Sequence, residues 1–194
     1  VSDLAPLALT LAQWGAGDPA AMAWIDPPPA AAMAAAGARL AALGALDAAG
    51  RITAHGRAMA RLPMDPAQAH MLLYAASHGA EEQAARIALL LQERGLGGRG
   101  EDLALRLDRW NGDRSPRAEA SRKLAGRWAK LAAGLAGDAV RKDSDVPPAI
   151  LLAEAYPGSV ARRRSPTGEE WLSAGGRGYR LDPASPLARA QWLA

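Results

Sequence analysis

Apolar residues recur at helical spacing along most of the chain, and residues that start or end helices separate the segments. Four segments begin with an N-cap residue followed by proline at the first helical position: Asp18-Pro19, Asp26-Pro27, Asp65-Pro66 and Ser115-Pro116. Others end at glycines in C-cap positions: Gly15, Gly44, Gly79 and Gly95. The pattern predicts helices over residues 4–14, 18–24, 29–43, 66–78, 80–94, 101–110, 116–136 and 147–156.

The stretch WIDPPPAAAM (residues 24–33) joins three prolines, typical of an extended linker, to an alanine-rich run that favours helix. We interpret Asp26 as an N-cap, with Pro27 and Pro28 tolerated in the first turn. Trp24 and Ile25 are then expected to pack as a hydrophobic staple. The stretch therefore predicts the start of a helix rather than a break between domains.

Between residues 44 and 56 the helical period gives way to two short β-prone pieces around a polar turn, GALDAAGRITAHG. Thr53 is placed to cap a short helix that follows this turn. Helices followed by a small hairpin and a further helix describe a winged-helix module, which we assign to residues 1–64.

Residues 65–146 are predicted to form a helical domain that ends in a charged linker over 137–146. On its longest helix, apolar residues at helical spacing predict a buried stripe: Leu124, Trp128, Leu131 and Leu135. Basic residues recur at the same spacing, one position earlier: Lys123, Arg127 and Lys130. A basic stripe is therefore expected along the border of the apolar one.

Residues 147–194 change period again, with short strand-like pieces separated by Ser-Pro, Thr-Gly and Gly-Gly turns. The segment is short for a complete β-barrel, so a truncated barrel is predicted. The fold class expected for the chain is mainly α with small β elements: a winged-helix module, a helical bundle and a partial β-barrel-like tail.

Composition then excludes several classes of protein. The chain has 194 residues and no cysteine, which excludes disulfides and cysteine-based zinc sites and fits a reducing cytoplasm. No apolar run is long enough to span a bilayer, and the first residues lack the pattern of a signal peptide. We expect a cytoplasmic protein without a membrane partner, and the abrupt start at Val1 suggests a fragment of a longer chain.

Charge is unevenly distributed along the chain. Residues 1–113 carry 9 Lys and Arg against 12 Asp and Glu, a net −3, whereas residues 114–194 carry 14 against 8, a net +6. The basic part is the place to look for a polyanionic partner. A solvated, arginine-rich surface explains the same composition equally well.

Motifs for nucleotide or metal chemistry are absent or out of context. The GLGGRG run (Gly95 to Gly100) follows a predicted helix, whereas a dinucleotide site needs a preceding strand. The chain contains no Gly-Lys pair, no D-E-x-H box and no metal-ligand spacing among His55, His70 and His78. Acidic pairs at 81–82 and 101–102 fall in first helical turns, where the helix dipole favours them. We therefore expect no catalytic residue, no metal and no cofactor in this chain.

Arginines cluster in the tail and are a candidate site. Arg162, Arg163 and Arg164 are consecutive, and Arg177 and Arg180 flank Tyr179. Guanidinium groups pair with phosphates, and an aromatic ring among them can stack on a base. Strand alternation would place Arg162 and Arg164 on one face and Arg163 on the other. Nucleic-acid contact and a solubilising surface stay equally open on composition alone.

The order of motifs resembles the region that follows the motor domains in DEAH-box helicases. The matching stretch runs from Trp24 to Leu72, in the order Trp24 to Pro28, Leu43 to Asp47, Gly50 to Gly56, Leu62 to Pro66 and Met71-Leu72. The segments on either side of this stretch resemble the HrpB-type bacterial branch of the family. They include LAPLALTLAQWGAGDP before the stretch, and YPGSVARRR and GRGYRLDP after it. Trp171 and Tyr179 stand where that family has other residues.

The resemblance implies a winged helix, a helical ratchet-like domain and an OB-like barrel, placed after two motor domains that this chain lacks. It implies that ATP and Mg belong to those motor domains, and that this chain alone is inactive. It also implies single-stranded nucleic acid, RNA in preference to DNA, as a partner beside the motor domains. The basic stripe and the arginine cluster would suit contacts with the nucleic-acid backbone.

Two other function classes are open at this point. A free-standing winged-helix regulator predicts a basic recognition helix within residues 29–43, yet that segment carries only Arg39. A non-catalytic adaptor without a nucleic-acid role predicts no salt-dependent binding.

Overall fold

The computed structural model of the chain describes residues 3–16, 22–137, 146–165 and 169–194. Eight α-helices lie within these residues: α1 (Ala5–Trp14), α2 (Ala30–Ala42), α3 (Ala54–Met59), α4 (Pro66–Ser77), α5 (Glu81–Gln92), α6 (Leu103–Gly112), α7 (Pro116–Ala136) and α8 (Pro148–Ala155). Four strands follow them: β1 (Ala161–Arg163), β2 (Glu170–Ser173), β3 (Gly178–Arg180) and β4 (Trp192–Leu193). The predicted fold class, mainly α with small β elements, is confirmed.

Side-chain caps explain where several helices begin: at the predicted residue for α4 and α7, but two residues later than predicted for α6, so that Glu101 and Asp102 precede that helix instead of lying in its first turn. Asp65, Asp102 and Ser115 each accept a hydrogen bond from a backbone N–H in the first turn of the helix that they precede. These bonds satisfy donors that the helix itself leaves without partners. α7 matches its predicted bounds of 116–136, and Gly15 ends α1 in the left-handed conformation with φ of 76°.

The expected cap of α2 is wrong. The helix begins at Ala30, Pro29 occupies the N-cap position and no side chain caps it. Pro27 and Pro28 each precede another proline, and a following proline disfavours the α conformation, so the helix cannot begin before Pro29. The staple is wrong as well, because Ile25 is fully exposed.

The helix predicted over 18–24 falls largely outside the described residues. Those that the structure does describe there, residues 22–24, are not helical. The charged linker predicted over 137–146 also lies largely outside the described part of the chain, which leaves out residues 138–145.

The small hairpin predicted over 44–56 is present in minimal form, as one antiparallel bridge between Leu46 and Ile52. Asp47 holds its turn, because its Oδ1 accepts from the backbone N–H groups of Ala49 and Arg51, each at 2.9 Å. Thr53 then caps α3 as predicted: its Oγ1 accepts from the N–H of Gly56 at 2.9 Å. The turn and the cap together join the hairpin to α3.

One hydrophobic core extends through the helical part of the chain, from α1 to α8. α4 lies at its centre and contacts α1, α3, α5, α7 and α8. Its apolar side chains are almost completely buried: Met71, Leu72 and Leu73. Helices assigned to the winged-helix module and to the helical bundle therefore share a core, and the division at 1–64, 65–146 and 147–194 stays a prediction.

α7 turns a face of small residues toward this core rather than the predicted leucine stripe. Ala125, Ala129 and Ala132 are buried, whereas Leu131 is 37% exposed. Of the four predicted stripe residues only Trp128 is buried, and Leu124 and Leu135 are half-buried. α7 packs against both α4 and α5, and small side chains let two neighbouring helices approach it.

The four strands form one antiparallel sheet in the order β3-β2-β1-β4. Backbone hydrogen bonds join it to the turn that follows α8, from the N–H of Gly175 to the carbonyl of Gly158 at 2.9 Å. The pKa of the Glu101 carboxyl, just before α6, is lowered chiefly by the hydroxyl of Ser185 in the segment between β3 and β4. Among the described residues, no helix has the length and apolar character needed to cross a membrane.

Candidate nucleic-acid interface

The basic stripe of α7 is exposed as predicted. Lys123, Arg127 and Lys130 all face solvent, and within the described part of the chain none of them forms an ion pair. The first and the last are seven positions apart on the helix, which is about 10 Å along the axis. Three exposed cations at fixed spacing on one helix form a surface that attracts a chain of phosphates.

Strand alternation separates the three consecutive arginines as predicted. Arg162 and Arg164 are exposed on one face of the sheet, and Arg163 is half-buried on the other. The register places Arg163 opposite Trp171, a residue with no exposed surface. The sheet therefore has an open face with Arg162 and Arg164, and a covered face with Arg163.

Arg163 makes contacts within the fold. Its guanidinium lies over the indole of Trp171, 5.3 Å from the ring centroid, and donates a hydrogen bond to the carbonyl of Ala188. Trp171 Nε1 donates to the carbonyl of Ala190 at 3.1 Å. Trp171 is therefore unable to stack on a base, and Tyr179, its partner across the sheet, is 36% exposed on the covered face.

The remaining arginines of the predicted site lie at or near the edge strand. Arg177 is exposed in the turn between β2 and β3, and Arg180 is exposed on β3. Glu170 lies between two of the arginines, with its carboxylate 3.8 Å from Arg180 and 4.0 Å from Arg164. All three side chains are more than half exposed, so these ion pairs contribute little and leave the surface cationic.

Two residues of the open face were not predicted from the sequence. Leu172 and Trp192 lie directly opposite Arg162 on the two neighbouring strands, and they are 45% and 56% exposed. The Arg162 guanidinium lies 5.6 Å from the centroid of the Trp192 ring. A groove of about 740 Å³ opens here, lined by Arg162, Arg163, Arg164, Ser165, Leu172 and Gln191. The alternation of β1 hinted at such a face, but the pairing of β4 with β1 did not follow from the sequence.

Two of the histidines form a contact that the sequence did not predict. His55 Nε2 lies 2.8 Å from His70 Nδ1, and His70 Nε2 lies 3.5 Å from the carboxylate of Glu154. Burial lowers the pKa of His55, and the neighbouring His70 lowers it further. No group of three or more His, Asp or Glu side chains among the described residues is placed to hold a metal ion. The contact joins α3, α4 and α8.

The glycine loop between α5 and α6 does not fit a nucleotide. It follows a helix, as predicted, and two of its glycines, Gly97 and Gly98, lie against α6. A Cβ at Gly97 would lie 2.2 Å from the carbonyl oxygen of Arg106, so the loop backbone rests directly on α6. An oxygen acceptor at that position would repel a phosphate. The loop therefore lacks the strand-to-helix turn that a dinucleotide site needs.

Comparison with known proteins agrees with this architecture. The family model described as helicase associated domain (HA2), winged-helix, matches residues 38–64. The chain is 36% identical over 192 residues to the ATP-dependent RNA helicase HrpB of Escherichia coli K12, a match that covers 99% of this chain and 22% of that protein. The matched winged-helix segment contains the hairpin, the Thr53 cap and α3.

Two solved structures share the fold. The crystal structure of the E. coli DExH-box NTPase HrpB superposes with a TM-score of 0.76 at 31% identity, covering 98% of this chain and 22% of that one. The crystal structure of the Escherichia coli DEAH/RHA helicase HrpB gives a TM-score of 0.75 at 34% identity, covering 98% and 23%. The chain thus spans about a fifth of these relatives, and the resemblance to HrpB-type helicases is confirmed.

Proposed function

We propose that this chain, which is related along nearly its whole length to the region of HrpB-type helicases beyond the motor domains, helps such a helicase to hold single-stranded nucleic acid. The motor domains of the same polypeptide would be its main protein partner. RNA is the preferred ligand, because the relative from E. coli K12 is described as an RNA helicase. ATP and Mg would bind to the motor domains, in a cytoplasmic enzyme.

The observation that carries this proposal is the exposed basic stripe of α7. Lys123, Arg127 and Lys130 are held at fixed spacing on a helix of 21 residues, without ion-pair partners among the described residues. Cations that are not engaged within the fold release counterions when they meet phosphates, and this release drives binding at low salt. The stripe would contact the backbone of a strand that leaves the motor domains.

The open face of the sheet adds a second cationic surface. Arg162, Arg164 and Arg180 point to solvent there, with Glu170 as the one nearby carboxylate among the described residues. Arg177 in the adjacent turn extends it, whereas Arg163, which also lines the groove, is engaged with Trp171 and Ala188. The proposed domain organisation is a winged helix over 1–64, a helical bundle that contacts the single strand over 65–146 and an OB-like segment over 147–194.

A free-standing winged-helix regulator is disfavoured by the surface of α2. Its single arginine, Arg39, pairs with Asp3 at 2.5 Å, so α2 offers at most one cation to a major groove. Sequence-specific readers of DNA need side chains that reach base edges and phosphates from such a helix. The hypothesis of a non-catalytic adaptor is tested by binding, because it predicts no salt-dependent binding of nucleic acid.

Two assays on the purified chain test the proposal. In fluorescence anisotropy at low salt, we expect binding to single-stranded RNA that is tighter than binding to DNA of the same length or to an RNA duplex. We expect no ATP turnover above background, with or without RNA. Absence of binding to single strands would reject the proposal, and clear ATP turnover would reject the assignment of ATP to separate motor domains.

A further inference from the structure

The open face of the sheet carries a row of three side chains that lie next to each other on neighbouring strands. Leu172 on β2, Arg162 on β1 and Trp192 on β4 are aligned by the register of the sheet. Adjacent strands are about 4.8 Å apart, so the row extends over about 10 Å. Both apolar members are exposed to solvent to nearly half or more of their surface.

We propose that this row is a stacking platform for an unpaired base of single-stranded nucleic acid, with the indole of Trp192 as the stacking surface. The proposal rests on the proposed function and adds a contact with bases to the contacts with phosphates. Every base has an aromatic face, so a platform of this kind accepts any sequence, provided that the base is not paired.

Arg162 holds the Trp192 side chain of the platform in place. Its guanidinium lies over the Trp192 ring at 5.6 Å, which limits the orientations of both side chains. Because an indole has two faces, a ring contacted by arginine on one side can receive a base on the other. The more than half of Trp192 that is exposed is the surface available for this contact.

The charge around the row favours a polyanion over an apolar peptide. Three arginines of the open face, Arg162, Arg164 and Arg180, outnumber the single carboxylate of Glu170. An apolar segment that covered the row would have to desolvate these guanidinium groups without supplying charge partners. A nucleotide supplies a ring for the indole and a phosphate for an arginine at the same time.

The basic stripe on α7 lacks this combination. The exposed apolar side chain beside these cations on α7 is Leu131, which is 37% exposed. The one aromatic residue of α7, Trp128, is buried and cannot contact a base. The stripe is therefore expected to sense phosphates alone. This difference allows the two surfaces to be tested separately, with one ligand that has bases and one that lacks them.

The test compares a single-stranded oligonucleotide with an abasic strand of the same length and charge. Affinity for each is measured by fluorescence anisotropy on the intact chain and on Trp192→Ala, Trp192→Phe and Trp14→Ala. Trp14 is the matched control, because it is 71% exposed on α1, outside the sheet. Thermal unfolding of each variant shows whether the fold is retained.

We expect the intact chain to bind the strand with bases more tightly than the abasic strand. Trp192→Ala should reduce affinity for the strand with bases by about 5- to 150-fold, the range for loss of one stacked base, and leave the abasic strand unaffected. Trp192→Phe should retain most of the preference, and Trp14→Ala all of it.

The outcomes separate this proposal from the proposed function. Equal, salt-sensitive affinity for both strands would overturn the platform and leave the phosphate contacts standing. A preference for bases that persists in Trp192→Ala would also overturn it. Absence of binding to either strand would overturn both proposals.

Discussion

The guanidinium of Arg163 lies over the buried indole of Trp171, 5.3 Å from its centroid, on the covered face of the sheet. The neighbouring arginines, Arg162 on β1 and Arg164 just after it, point the opposite way, into solvent. The three consecutive arginines therefore differ in role. Arg163 stabilises the sheet, whereas Arg162 and Arg164 are available to a ligand.

Substitution of these arginines one at a time should separate stability from binding. Arg163→Ala is expected to lower the free energy of unfolding by about 1–2 kcal/mol, because it removes the cation–π contact and a hydrogen bond to Ala188. Arg164→Ala should change stability by less than about 0.5 kcal/mol and weaken binding to single strands. Chemical denaturation and anisotropy measure the two effects, and equal stability of the two variants would contradict the assignment.

Gly56 explains why the winged-helix motif carries a glycine three residues after Thr53. A Cβ at this position would lie 2.2 Å from the backbone oxygen of Ala45, so the hairpin and α3 approach closely only with glycine there. We expect Gly56→Ala to destabilise the chain by about 1–3 kcal/mol. Gly37 on α2 is the control, since no atom of a neighbouring segment lies within 4 Å of the position that an alanine methyl group would take there.

Gly37→Ala should stabilise the chain by about 0.5–1 kcal/mol, because alanine loses less backbone entropy than glycine in a helix. Thermal unfolding of both variants is sufficient to compare them. If both variants shift the unfolding temperature in the same direction by a similar amount, the close approach between Gly56 and Ala45 does not determine the effect of Gly56→Ala.

The contact between His55 and His70 makes stability depend on pH. Burial and the neighbouring imidazole hold the pKa of His55 below its ordinary 6.5. The unfolded chain therefore binds a proton at this residue more readily than the folded chain does. The stabilising contribution is fully present above about pH 6.5 and is lost as the pH falls below that value.

We expect the free energy of unfolding to fall between about pH 7.5 and about pH 5.5, a range in which ordinary carboxylates stay ionised. His55→Gln should reduce this fall, whereas His78→Gln, outside the pair, should leave it unchanged. Urea denaturation at the two pH values provides the measurement. The same pH dependence in the intact chain and in His55→Gln would assign the effect to other groups.

Local signals predicted the helical part of the fold well. The Ser115-Pro116 pair and the apolar spacing after it were sufficient to place α7, because the cap and the first turn are made by neighbouring residues. The same reasoning failed at Asp26, where the conformational effect of each proline on the residue before it outweighed the capping preference. Local rules thus fail where two of them compete.

The site was predicted only in part, because its remaining residues depend on contacts between distant segments. Arg162 pairs with Trp192 across 30 residues of chain, and no local pattern of β4 indicates that pairing. The neighbour of His70, Glu154, is likewise on another helix, far along the sequence. Alternation along β1 predicted which arginines share a face, but not which aromatic residue lies beside them.

The salt dependence of binding shows most directly whether the basic stripe of α7 contacts phosphates of a single strand. The logarithm of the association constant for a single-stranded RNA is measured against the logarithm of salt concentration. The intact chain is compared with a variant in which Lys123, Arg127 and Lys130 are all alanine. A matched variant replaces three exposed arginines outside the proposed surfaces: Arg61, Arg94 and Arg99.

Each phosphate contact contributes about 0.7 to the slope for single strands. We expect the α7 variant to bind more weakly with a slope smaller by about 2, and the matched variant to remain close to the intact chain. An unchanged slope in the α7 variant, or an equal reduction in both variants, would contradict this expectation.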